Sequence, residues 1–184
     1  MVFANSASAQ NATEITQYQV ERLDDEVLVS AQMAFELPAA VEDALLKGIP
    51  LFFVIEADVL RERWYWYDKK IVSVGRHMRL AYQPLTRRWR INVTAGGGKD
   101  VSLGLALNQG FDTLGQALAA IKRVSRWKIA DASELDPAQK YKVDFRFRLD
   151  LTQLPRPFQI GALGQTDWDI SATFNSMLPP VSGK

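Results

Sequence analysis

Apolar and polar residues alternate with a period of two over long parts of this chain, which is the pattern of β-strands with one buried face. Between residues 27 and 37 the apolar positions are Val27, Val29, Ala31, Met33, Phe35 and Leu37. Between residues 141 and 152 they are Tyr141, Val143, Phe145, Phe147, Leu149 and Leu151, and charged or polar residues take every position between them. Strands with one buried and one solvated face are typical of antiparallel sheets, so we predict an antiparallel architecture.

A meander of consecutive strands is predicted in the middle of the chain. Residues 51–67 are interpreted as one long strand, and residues 71–74 begin its return. Residues 76–83 and 87–94 should form a hairpin. Its predicted register sets Met78, Leu80 and Tyr82 opposite Trp89, Ile91 and Val93. Residues 95–100 contain three consecutive glycines and are expected to form a flexible tip.

Two apolar stripes with helical spacing predict helices between the strands. The first helix should begin at Pro38 and end at Gly48, with Val41, Ala44 and Leu45 buried. The second should begin at Asp112 as N-cap and run through Val124 to Arg126, so that its cations lie at the negative end of the helix dipole. The predicted fold class is therefore α+β: seven to nine mostly antiparallel strands, in a sandwich-like or strongly curved sheet, with two inserted helices.

Composition is that of an ordinary globular domain, because 47% of the 184 residues are hydrophobic and 23% are charged. We assign one domain to residues 14–178, with disordered segments at residues 1–13 and 179–184. The net charge of +1 provides no overall field for nucleic acid, so no nucleic-acid partner is predicted. The longest apolar run, residues 49–55, is too short to cross a membrane, so no transmembrane segment is predicted in the mature chain.

An export signal is suggested by Ala7-Ser8-Ala9. Signal peptidase accepts only small residues at the positions three and one before the cut, and Ala7 and Ala9 have that spacing. The hydrophobic run that should precede this box is missing. We therefore expect residues 1–13 to be the remnant of a truncated signal peptide, and we expect the protein to be periplasmic.

Candidate catalytic chemistry is sparse in this sequence. The chain has no cysteine and a single histidine, His77, which excludes thiol nucleophiles, disulfides and multi-histidine metal sites. We predict no catalytic residue, no metal and no cofactor, and we expect His77 to be a surface strand residue. A hydrolase-like alternative would use Glu56, Asp58 and Glu62, which share one strand face; burial there would raise the pKa of such a carboxylate.

The densest local signal is a run of aromatic and charged residues between positions 61 and 67. If this run is a strand, Trp64 and Trp66 share one face, while Tyr65 and Tyr67 share the other. Aromatic clusters usually fill cores, which favours a strand buried on both faces. The other interpretation is an aromatic platform for a sugar ring, an acyl chain or a side chain of a partner. The candidate binding residues are Arg61, Arg63, Trp64, Tyr65, Trp66 and Tyr67.

Arginines recur on the polar side of the predicted strands. The positions are Arg88, Arg90, Arg146 and Arg148, together with Arg76 or Arg79. Like charges directly opposite each other destabilise strand pairing unless acids are interleaved, and the same strands supply those acids. A salt-bridged solvated face is therefore the first interpretation, and an anion-binding surface is the second.

Several motifs in order resemble the DUF4390 family of uncharacterised bacterial proteins. They are Lys47-Gly48-Ile49-Pro50-Leu51, Arg63-Trp64 with Trp66, Arg79-Leu80 with Tyr82, Arg148-Leu149-Asp150, Leu154-Pro155 with Pro157-Phe158-Gln159, and Asp167-Trp168. The resemblance implies an exported protein with no established activity and, through neighbouring sensor-kinase genes, a link to envelope signalling.

The function that we predict is a non-enzymatic periplasmic binding or protein-interaction module. Its expected partner is an envelope protein or a small amphiphile, bound at the aromatic run. Two alternatives stay open at this point: a periplasmic hydrolase-like enzyme that uses the strand carboxylates, and a purely structural envelope component.

Overall fold

The computed structural model describes residues 12–97, 107–162 and 164–181, which form two antiparallel sheets and three α-helices. The strands are β1 (Glu14–Arg22), β2 (Glu26–Ala34), β3 (Leu51–Arg61), β4 (Lys69–Gln83), β5 (Arg88–Gly97), β6 (Leu107–Phe111), β7 (Arg123–Asp131), β8 (Tyr141–Leu149) and β9 (Ser171–Met177). The helices are α1 (Ala39–Leu46), α2 (Leu114–Ile121) and α3 (Arg156–Ala162). The predicted α+β class with mostly antiparallel strands is confirmed.

Strand order follows a meander in the larger sheet. That sheet has six strands in the order β6-β5-β4-β3-β8-β9, and the smaller one has three in the order β1-β2-β7. β3 lies at the middle of the larger sheet, paired with β4 on one side and with β8 on the other. Side chains from both sheets form one hydrophobic cluster, so the smaller sheet packs on one face of the larger.

Aromatic rings join the two sheets at the centre of this core. Phe35 follows β2, while Phe53 and Phe147 come from β3 and β8 of the larger sheet. The three ring centroids lie between 5.3 and 5.8 Å from one another, and all three residues are buried. Ring pairs at such distances stabilise the core beyond the burial of their apolar area.

The hairpin register predicted from sequence is confirmed. Met78 pairs with Val93, Leu80 with Ile91, and Tyr82 with Trp89. The glycine tip is only partly as predicted. Residues 95–97 continue β5 and pair with β4, where Gly96 lies opposite Gly75. Residues 98–100 lie outside the described residues.

The first predicted helix is confirmed as α1. It follows Pro38, buries Val41, Ala44 and Leu45, and is followed by Gly48 at a φ of +86°. That left-handed conformation strains any residue with a Cβ, which is why glycine suits the position after the helix.

The second predicted helix is α2, but both of its predicted ends are wrong. Its N-cap is Thr113, whose Oγ1 accepts a hydrogen bond from the backbone N–H of Gln116, and not Asp112. The helix ends at Ile121, because the backbone C=O of Lys122 already accepts a hydrogen bond of 2.8 Å from the N–H of Met33 in β2. Residues 123–131 therefore form β7. The short helix α3 has no counterpart in the prediction.

The predicted disordered segments fall mostly outside the described residues, which exclude residues 1–11 and 182–184. In the part of the chain that is described, no helix has both the length and the apolar composition needed to cross a membrane.

Candidate functional site

The aromatic run lies in the loop between β3 and β4, not in a strand. β3 ends at Arg61, and its partner Lys69 begins β4, so residues 62–68 are the loop of a long hairpin. The prediction of one strand over residues 51–67 is therefore wrong beyond Arg61. Arg61 also pairs with Tyr141, the first residue of β8, so both strands beside β3 begin at this level.

The four aromatic side chains of the loop are exposed. Their exposed fractions are 93% for Trp64, 67% for Tyr65, 69% for Trp66 and 86% for Tyr67. We call residues 64–67 the aromatic tip. The interpretation that favoured a strand buried on both faces is wrong, because no element of the described chain covers these rings. Among the described residues, the tip has one ring–ring contact, between Trp64 and Tyr65 at 4.9 Å and an interplanar angle of 71°.

The base of the loop is attached to the start of β8. The N–H of Glu62 donates a hydrogen bond of 3.2 Å to the C=O of Lys140, and Lys142 forms an ion pair with Asp68. The hydrogen bond from Lys142 lowers the pKa of Asp68, and the same bond raises the pKa of Lys142. These contacts hold the two ends of the loop against the sheet while the aromatic tip extends beyond it.

Four basic residues lie at the base of the aromatic tip. Arg61 and Arg63 are partly buried, and Lys69 and Lys140 are exposed. We call these four residues the basic collar. Lys70 and Lys142, which lie next to them, are paired with Asp58 and Asp68. The collar therefore leaves a local excess of positive charge, with Glu62 as the exposed acid among these residues.

A second polar cluster lies on the outer face of the larger sheet, which points away from the smaller sheet. Its centre is Asp58 of β3, whose side chain is 2% exposed. Its carboxylate accepts a hydrogen bond of 2.6 Å from Ser73 and lies 2.7 Å from the Nζ of Lys70 and 2.8 Å from Nη2 of Arg146. Arg146 also lies near Glu56, at 3.6 Å, and Asp144, at 3.3 Å.

This arrangement determines how Asp58 ionises. Burial raises the pKa of Asp58, but hydrogen bonds from Lys70 and Ser73 and the charge of Arg146 outweigh burial, so the net pKa lies below its ordinary value. The expectation of a raised pKa for a buried carboxylate on this face is wrong for Asp58. Glu62, the third carboxylate of that hypothesis, lies in the loop and does not join the cluster.

The predicted arginine stripe is divided between two environments. Arg146 and Arg148 lie on the outer face among acids, which matches the salt-bridged interpretation. Arg76 lies on the opposite face, with its guanidinium 5.3 Å from the ring centroid of Trp127, and burial lowers its pKa. His77 is an exposed strand residue, as expected. Within the described ranges, no group of three or more histidine or carboxylate side chains is placed to hold a metal ion.

The comparison with protein families bears on nearly the whole chain. The model for a domain of unknown function, DUF4390, matches residues 10–177. The chain belongs to the DUF4390 family. The matched range includes all nine strands described above and the aromatic tip, so this DUF4390 domain contains both sheets. Neither a curated protein nor a solved structure matches the chain.

The sequence of this DUF4390 domain indicated only two of the four residues of the basic collar. Arg61 and Arg63 were candidates because they flank the aromatic run in the sequence, whereas Lys69 and Lys140 were not candidates. Lys69 is opposite Arg61 only because the hairpin closes there, and Lys140 is close only because β8 pairs with β3. The available signal was the run Asp68-Lys69-Lys70, whose charges mark the end of a strand.

Proposed function

We propose that this domain is a non-enzymatic binding module whose recognition element is the aromatic tip. One observation carries the proposal: Trp64, Tyr65, Trp66 and Tyr67 are consecutive and between 67% and 93% exposed at the end of an anchored hairpin. Isolated exposed apolar residues are ordinary, but a contiguous exposed aromatic group indicates an interaction site. Tryptophan and tyrosine are also the residue types that contribute most binding energy in interfaces.

The position of the tip also supports a binding role. Its rings add no packing to the core, so selection for stability gives no reason for four large aromatic side chains there. Each such ring covers about 150–250 Å² when it is buried, so an occupant would remove several hundred Å² of apolar surface from water. At about 25 cal/mol per Å², that area is a substantial driving force for association.

The compartment that we propose is the periplasm. The spacing of Ala7 and Ala9, which fits a signal-peptidase box, supports export. The link to envelope signalling belongs to the same proposal and rests on the family resemblance. An envelope protein or an amphiphile is therefore the occupant expected at the tip.

The carboxylates of the outer face favour a structural role over hydrolysis. Asp58 is engaged by Lys70, Ser73 and Arg146, and its lowered pKa keeps it ionised and hydrogen-bonded near neutral pH. A general acid needs a raised pKa, and a general base needs a free lone pair facing substrate. Neither requirement is met by the contacts of Asp58.

A crosslinking experiment in the source cells tests the proposal. A photo-reactive phenylalanine analogue would replace Tyr65 at the tip, and the matched control would carry it at Leu85, which is fully exposed at the opposite end of β4. We expect a discrete crosslinked species, protein or lipid, from position 65 and none of the same mass from position 85. Native mass spectrometry of the extracted protein would measure the mass of whatever is retained.

Two results would contradict the proposal. Equal crosslinking from positions 65 and 85 would show that the tip has no special occupant. A retained species that survives the double substitution Trp64→Ala and Trp66→Ala would place the binding site elsewhere.

A further inference from the structure

The geometry of the aromatic tip distinguishes among possible occupants. The tip protrudes at the end of a hairpin, so its rings do not line a groove. Only Trp64 and Tyr65 touch each other among the described residues, and they meet edge to face, so the four rings do not form one flat stacking platform. A fluid lipid interface accepts exposed rings that do not form one flat platform.

The chemistry of the side chains fits the same environment. Trp and Tyr have an apolar ring and one polar group, an indole N–H or a phenolic O–H. Such side chains are favoured at the membrane–water interface, where the ring lies at headgroup depth and the polar group remains hydrated.

The basic collar adds charge complementarity. Arg61 and Lys69 are paired across the hairpin directly behind the tip, and Arg63 and Lys140 lie beside them. All four collar residues lie at the end of the larger sheet that carries the aromatic tip. The whole chain has a net charge of only +1, so the attraction is local to this end of the molecule. Cations within a Debye length of an anionic bilayer are attracted to it.

We propose that the aromatic tip docks on a phospholipid bilayer that contains anionic lipid. Trp64 and Trp66 insert at headgroup depth, and the basic collar contacts lipid phosphates. This inference rests on the proposed function, because it names the occupant of the same tip. It describes attachment at the surface of the bilayer, which needs no membrane-spanning helix.

Vesicle binding by the full chain tests this inference. The probes are vesicles of phosphatidylcholine alone and vesicles of phosphatidylcholine with phosphatidylglycerol. We expect co-sedimentation with the anionic vesicles and a blue shift of tryptophan emission. The double substitution Trp64→Ala and Trp66→Ala should reduce the partition coefficient about tenfold or more and abolish the shift. The control is Leu85→Ala, which removes an exposed apolar side chain at the far end of β4 and should bind normally.

The collar has its own test. Lys69→Gln and Lys140→Gln should each weaken binding to the anionic vesicles roughly fivefold, with little effect on the phosphatidylcholine vesicles. The control is Lys47→Gln, which removes an exposed cation at the end of α1. Circular dichroism and thermal unfolding would establish that every variant remains folded.

The outcomes separate this inference from the proposed function. If vesicles do not bind, but position 65 still crosslinks to a protein, the bilayer is the wrong occupant and the aromatic tip remains a binding site. If neither vesicles nor a partner depend on the tip, both proposals fail. Vesicle binding that is unchanged by Trp64→Ala and Trp66→Ala would also overturn the bilayer inference, because lipid would then contact another surface.

Discussion

Arg146 of β8 places Nη2 2.8 Å from Oδ2 of Asp58 on the neighbouring strand β3. Asp58 is one residue further along β3 than Ala57, which lies in the core, so its side chain leaves the opposite face of the sheet. Its side chain is 2% exposed, while Arg146 and Lys70 are 37% and 52% exposed. Lys70 and Arg146 therefore lie between the Asp58 carboxylate and solvent, and their positive charges neutralise it.

Asp58→Asn should lower the free energy of unfolding by about 1–3 kcal/mol, measured by urea denaturation at neutral pH. The amide keeps the volume but removes the negative charge that Lys70 and Arg146 share. The matched control is Asp112→Asn, whose ion pair with Arg88 joins two exposed side chains at 3.1 Å. That substitution should change stability by about 0.5 kcal/mol or less. Equal effects of the two substitutions would contradict the role given to Asp58.

Stability should fall as the solution becomes acidic. The folded-state pKa of Asp58 lies below its ordinary value of about 3.9, so the unfolded chain takes up the proton more readily. Its contribution is fully present above the ordinary value and is lost as the pH falls through the folded-state pKa. The pKa of Asp150 is also lowered: burial raises it, but hydrogen bonds from Thr152 outweigh burial.

Urea denaturation at a series of pH values below about 5 would measure this dependence, and Asp58→Asn should make it shallower. The two proteins should converge in stability at the acidic end, where Asp58 is protonated in both states. A variant that loses stability in parallel with the wild type over the whole range would show that Asp58 does not contribute to the acid dependence.

The β4–β5 hairpin and α1 were predicted correctly because residues close together in the sequence determine them. Met78, Leu80 and Tyr82 could be aligned with their partners because a short turn separates the two strands and fixes the register. α1 could be delimited because Pro38 and Gly48 mark its ends. By contrast, β1 was not predicted. Its pairing with β2 shifts register between Ile15 and Gln17, which breaks the alternation of buried residues.

Features that depend on pairing between residues distant in sequence could not be predicted from the sequence alone. The run Trp64-Tyr65-Trp66-Tyr67 was visible as a candidate site, but its exposure was not. Sequence patterns alone do not show where β3 ends, because the end depends on Lys69 pairing back and on β8 starting at Tyr141. The end of α2 depended in the same way on Met33, which is remote in sequence.

Replacing the exposed tryptophans should leave the fold intact. Trp64→Ala and Trp66→Ala should each change the free energy of unfolding by no more than about 0.5 kcal/mol, because they remove no buried contact. The control is Trp89→Ala: Trp89 is 6% exposed, and its ring centroid lies 4.7 Å from that of Tyr82. That substitution should lower stability by about 3–5 kcal/mol in thermal or urea unfolding. A comparable loss in Trp64→Ala would mean that its ring is buried.

The start of α2 provides a test of a cap that was wrongly assigned from sequence. Thr113 Oγ1 accepts a hydrogen bond of 3.2 Å from the N–H of Gln116, and the Gln116 side chain accepts one of 3.3 Å from the N–H of Asp112. Thr113→Ala leaves the Gln116 N–H without this partner and should lower the free energy of unfolding by about 1 kcal/mol.

Thr113→Ser keeps a hydroxyl at the cap and should recover most of that loss, since serine caps helices at least as well as threonine. Asp112→Ala removes only a surface ion pair, because the hydrogen bond of Asp112 to Gln116 uses its backbone. It should therefore change stability by less than Thr113→Ala does. The reverse order in urea denaturation, with Asp112→Ala the more damaging, would move the cap back to the residue that the sequence pattern favoured.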